Sequence, residues 1–95
     1  MPEMRFVVRW PDDTVTRCYS PSLVVRDYLE AGRSYPLAIF MSLSATALNI
    51  GSERVREKYG FACSAAMDQL QILQDTAMRF ADADDPQVLV EAFEP

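Results

Sequence analysis

From Met4 to Trp10 the chain alternates, with Met4, Phe6, Val8 and Trp10 on one side and Arg5, Val7 and Arg9 on the other. A period of two is what a strand with one buried face requires. Pro11-Asp12-Asp13-Thr14 supplies turn residues. Val15 to Tyr19, β-branched and aromatic, reads as the returning strand of a hairpin. Pairing Trp10 with Val15 across that turn sets Val8 opposite Arg17 and Phe6 opposite Tyr19 on the apolar face, with Arg9–Thr16, Val7–Cys18 and Arg5–Ser20 on the other. In this register Arg17 is a charge on the buried face, either snorkelling from a sheet edge or meeting a carboxylate or ligand.

Ser20-Pro21 has the form of an N-cap followed by proline at the first helical position, so a short helix is expected from Pro21 to about Leu29, ending near Gly32. The pattern turns strongly helical from Pro36 to Tyr59, where Leu37, Phe40, Ser44, Leu48, Gly51 and Val55 recur at spacings of three and four, with Gly60 as C-cap. Ser44 and Gly51 are small, which predicts close approach of another backbone; Asn49 and Gly51-Ser52 are positions where this helix could kink or split. A second long helix is marked by Cys63, Ala66, Met67, Leu70, Leu73, Ala77 and Phe80. Ala81-Asp82-Ala83-Asp84-Asp85-Pro86 breaks it, and Gln87 to Phe93 alternates again as a final strand. The expected fold is one α+β domain over residues 1–95, with a β-hairpin, a short helix, two long helices and a C-terminal strand. Its sheet is three-stranded, in the order 2-1-3, with the helices on one face.

That architecture leaves apolar residues over. Ile39 and Leu43 lie off the main stripe of the first long helix, and Val7, Leu89 and Phe93 are expected on the uncovered sheet face. Surplus apolar surface of this kind often marks an interface, so these five are the candidate contact residues for a homodimer or a protein partner, the alternative being that the short helical segment wraps over some of them.

Charge and composition narrow the chemistry. The 95 residues include no histidine, which removes Ser-His-Asp and Cys-His nucleophile pairs and nearly all catalytic zinc sites. The two cysteines, Cys18 and Cys63, form no Cys-x-x-Cys pair, so no metal or other cofactor is expected. Net charge is −5, and all of the excess is C-terminal: residues 67–95 set Arg79 against seven acids. An acidic chain with a single Lys lacks the footprint for nucleic acid or for an anionic membrane. The N-terminus has neither a basic n-region nor an apolar core, and no apolar run is long enough to cross a bilayer, so a cytoplasmic protein is expected.

Three constellations could carry chemistry. Cys63, at the expected start of the second long helix, is the better placed thiol, with Cys18 behind it, but Cys63 continues the apolar stripe and buried packing is the stronger reading for both. Arg17, Ser20 and Ser22, with Arg26 two turns on, assemble the ingredients of an anion site, although helix capping by Ser20 is the favoured reading; Arg54 belongs to a solvated helix face or else points into a pocket between helices and sheet. Asp82-Ala83-Asp84-Asp85 resembles the start of a calcium loop but lacks its glycine and terminal glutamate, and reads as an acidic linker.

The phrases Arg5-Phe6-Val7-Val8-Arg9-Trp10-Pro11-Asp12, Cys18-Tyr19-Ser20-Pro21-Ser22, Ser52-Glu53-Arg54-Val55 and Tyr59-Gly60-Phe61-Ala62-Cys63-Ser64, in this order, resemble a family of small bacterial nitrogen-starvation-response proteins. Members of that family are encoded beside a nitrilase, a radical-SAM protein, an acetyltransferase and a flavin-dependent oxidoreductase. The resemblance implies a setting of nitrogen limitation and nitrile use, and carries over no catalytic residue. Asp13 departs from it, standing where a turn glycine is expected. Together these readings favour a non-catalytic protein that acts by self-association or by binding a pathway enzyme. The alternative is an anion binder, or a minor thiol enzyme using Cys63 with Arg17 or Arg54.

Overall fold

The computed structural model describes residues 3–61 and 64–94. The hairpin strands are β1 (Met4–Arg9) and β2 (Val15–Ser20). Their loop holds three residues: Trp10 N–H donates to Thr14 O at 2.8 Å, Asp13 N–H donates to Trp10 O at 2.9 Å, and Asp13 takes φ 69°. Asp13 thereby occupies the left-handed conformation a glycine would take freely, which aspartate tolerates better than most residues. Losing one loop residue slips the pairing by one. Phe6 meets Cys18, Val7 meets Arg17, Val8 meets Thr16 and Arg5 meets Tyr19. Because side chains alternate with period two, this one-residue slip exchanges the faces of the whole second strand. Cys18 and Ser20 go into the core and Arg17 goes out to solvent, which removes the charge from the buried face.

The expected helix over 21–29 shrinks to α1 (Val25–Tyr28). Ser20 is not its N-cap; it ends β2. The β-branched Val24-Val25 pair sits where a longer helix would have had to pass, and such residues lose rotamer freedom in helices. After Gly32 the chain forms an unexpected strand, β3 (Arg33–Pro36), which runs straight into α2 (Leu37–Tyr59). The second long helix is α3 (Ser64–Met78), and the last strand is β4 (Gln87–Glu94).

The sheet therefore has four strands, in the order β2-β1-β4-β3, all antiparallel. The expected 2-1-3 order survives as its β2-β1-β4 part, and β3 adds an edge. A bulge in the β1–β4 ladder lies between Val7 and Val8, so that Val8 meets Val90 while Val7 meets Ala92. Beyond it Phe93 pairs with the fully buried Phe6 and packs against the core. Phe93 thus lies on the helix-covered face, against expectation, because a bulge shifts side-chain parity by one.

α2 runs unbroken through Asn49 and Gly51, and ends on Gly60 at φ 86°, whose N–H returns to Arg56 O at 2.8 Å. A Cβ built on Gly51 would lie 2.9 Å from Pro21 Cγ and 3.3 Å from Ser22 Oγ. Glycine is what lets the 21–24 turn rest on α2. Helices and sheet enclose one core, including Phe6, Val8, Trp10, Phe40, Leu48, Leu73, Val88 and Val90. Trp10 ties its end together: it stands edge-on to Phe40 at 5.7 Å, stacks on Phe80 at 6.1 Å, and donates from Nε1 to Thr16 Oγ1 at 2.9 Å. Such a buried indole combines large apolar area with a satisfied polar tip.

Candidate functional site

The residues singled out in the sequence fall into four places. Cys18 is fully buried, and desolvation of the thiolate pushes its pKa up to about 12. A thiol so raised is not a nucleophile at neutral pH. Cys63 lies outside the described residues.

The anion-site group does not assemble as one cluster. Ser20 Oγ donates to Ser22 O at 2.7 Å, and Ser22 Oγ accepts from Val24 N–H at 3.3 Å, so both buried hydroxyls are used inside the turn. Arg17 is on the open sheet face, where its guanidinium meets Glu94 Oε1 at 2.7 Å. Arg26 and Arg54 are together elsewhere. They line one shallow cavity of about 340 Å³ with Leu23, Val24 and Asp27, between α1 and the C-terminal half of α2.

The open sheet face is covered by its own charges. Arg9 pairs with Glu91, Arg17 with Glu94, and the Arg5 guanidinium lies 5.4 Å from the Tyr19 ring centroid. Their stems shield the half-buried Val7 and Leu89 beneath them. This surface is polar and internally matched, so of the five candidate contact residues Val7 and Leu89 sit under a charged layer.

Ile39 and Leu43 have different surroundings. They border a groove of about 590 Å³ beside the free edge of β3, lined by Tyr28, Leu29, Tyr35 and Pro36 and also by the charged Arg26, Asp27, Glu30 and Arg33. Tyr35 anchors that groove, its hydroxyl accepting from Glu30 N–H at 2.9 Å. From this groove the outer surface of α2 continues through Ser42, Thr46 and Asn49, all exposed. No charged residue occurs anywhere from Leu37 to Ser52. This signal was in the sequence, as a run of 16 residues without Asp, Glu, Lys or Arg on a helix with one face in water. A solvated helix face is ordinarily laced with charge.

Gln69 is a further residue that the pattern did not single out. It is buried on α3, and its Oε1 accepts from Tyr19 N–H on the edge strand β2 at 2.9 Å. The helix thereby covers a strand edge that would otherwise be open to pairing.

A family model for the nitrogen starvation-induced protein NitG matches residues 5–93. The chain belongs to that family. The match spans every element of the NitG fold described above except the outermost residues of β1 and β4. No curated protein and no solved structure matches the chain. Among the described residues of this NitG member, no group of three or more His, Cys, Asp or Glu side chains could hold a metal ion. No helix among them is long and apolar enough to cross a membrane.

Proposed function

We propose that this nitrogen starvation-induced protein is a non-catalytic component of the response that works as a homodimer, joined through the outer face of α2. The observation that carries the reading is the charge-free stretch from Leu37 to Ser52, with Ala38, Ile39, Ser42, Thr46 and Asn49 exposed along it. A two-fold interface places the same patch on both subunits, so like charges there would face one another. On a chain of net charge −5, a neutral face is the surface on which two copies meet without that repulsion. Small residues at Ser42 and Ala45 allow close helix approach, and Ile39 and Leu43 supply the apolar area. The open sheet face is the weaker candidate, since its arginines already have partners.

Light scattering after size exclusion tests this. The expected mass is twice the 10.7 kDa of one chain, and Ile39→Glu or Ser42→Glu should give monomers with unchanged circular dichroism. Val7→Glu, on the sheet face, should leave the dimer intact. A wild-type protein that stays monomeric at several hundred micromolar would overturn the proposal. So would a dimer that ignores both α2 variants.

A further inference from the structure

Arg26 and Arg54 are distant in sequence and adjacent in the fold. Gly51 makes them neighbours: its missing Cβ lets Pro21 and Ser22 rest on α2, and the turn that follows delivers α1, with Arg26, to the α2 surface one turn beyond Gly51. Of the carboxylates near them in the chain, Glu30 and Glu53 are held by other arginines, while Glu57, one turn beyond Arg54 on α2, forms no ion pair with it. Glu30 pairs with Arg33 at 3.1 Å, and Glu53 pairs with Arg56 at 3.6 Å. Asp27 lines the same cavity, yet among the described residues neither Arg26 nor Arg54 forms an ion pair. Of the six other arginines, five form one, and the sixth, Arg5, lies over the Tyr19 ring.

Two guanidiniums from different elements and one carboxylate, Asp27, leave this cavity with a net positive charge in an acidic protein, which attracts an anion. We infer that Arg26 and Arg54 form a binding site for an oxyanion, the phosphate or carboxylate group of a small ligand. Guanidinium forks match both groups in geometry and bind them with charge-assisted hydrogen bonds. Leu23 and Val24 on the cavity wall give the rest of the ligand an apolar surface, while Asp27 sets a limit by disfavouring further negative charge at that end. Arg26 and Asp27 also line the groove that Ile39 and Leu43 border, whereas Leu23, Val24 and Arg54 do not.

Inorganic phosphate and succinate are the probes, each compared with sodium chloride at equal ionic strength. A millimolar affinity should raise the melting temperature by roughly 7–14 °C at about 20 mM ligand. Arg26→Gln and Arg54→Gln should each weaken binding about tenfold, whereas Arg5→Gln on the sheet face should leave it unchanged. In the unmodified protein, the Nε–H resonances of Arg26 and Arg54 should shift on titration while that of Arg5 stays still. A response to phosphate alone or to succinate alone identifies the headgroup and supports the site. No response to either beyond the salt control overturns it, as does a response that all three variants retain.

Discussion

Two side chains show how local surroundings set chemistry here. Asp12 sits in the hairpin loop, where its Oδ1 accepts from the Thr14 hydroxyl at 2.6 Å and from Thr14 N–H at 3.1 Å, and Arg79 approaches Oδ2 at 3.1 Å. The Thr14 bonds chiefly, with the Arg79 charge helping, hold its carboxyl below the usual 3.8. A carboxyl lowered on folding adds stability that is present above its unfolded pKa and is lost as pH falls through the lower folded value. Asp12→Asn should therefore be less stable than wild type at pH 7, and the gap should close as pH falls below about 4, which urea melts across the acid range would show. Cys18 behaves oppositely, because burial disfavours its charged form. In a Cys63→Ser background, where Cys18 is the remaining thiol, a chromogenic disulfide should label it only as fast as the protein unfolds. Rapid labelling of the folded protein would show that this strand face is open.

Among the elements, edge protection is the point on which the sheet depends. β2 and β3 are the two edges. At β2, Gln69 reaches from α3 to Tyr19 N–H, and at β3 the strand is only four residues long and ends in Pro36; both devices discourage strand addition. Gln69→Ala should cost about 1–2 kcal/mol in a denaturant melt and speed amide exchange at Tyr19, while amides of β1 keep their protection. A polar residue inside an apolar stripe reads as an outward-facing position, so this contact could not be anticipated from α3 alone. β3 was equally hidden. Arg33-Ser34-Tyr35-Pro36 has no long alternation and ends in a residue that cannot donate to a ladder. What makes it a strand is the vacant edge of β4, where Tyr35 pairs with Val88 and Gly32 N–H donates to Val90 O at 2.6 Å.

For the molecule as a whole, the distribution of charge separates its surfaces. The sheet face matches arginines with glutamates, the segment from Asp82 to Asp85 is exposed and acidic, and the outer face of α2 is neutral. If two copies meet on α2, added salt should tighten the dimer, since screening removes repulsion between bodies of charge −5 and leaves an uncharged contact intact. Sedimentation equilibrium at about 50 mM and 500 mM sodium chloride measures this. An interface built on the sheet-face ion pairs would respond in the reverse direction. The melting temperature should likewise rise with protein concentration, because association binds the native state alone.

Period and punctuation were sufficient for what is local in this protein. The hairpin strands, α2 with its Gly60 cap, α3 and β4 are each written in a repeat of 2 or 3.6, and the uncharged run of α2 is a property of the chain itself. The tertiary structure alone decided parity and proximity. A left-handed Asp13 shortened one loop and exchanged the faces of β2, moving Cys18 inward and Arg17 outward; a bulge did the same for Phe93. Gly51 brought Arg26 beside Arg54. Pattern states which residues share a face, but which face meets the core depends on single backbone conformations and on contacts between residues far apart in the chain, and those carry no period to read.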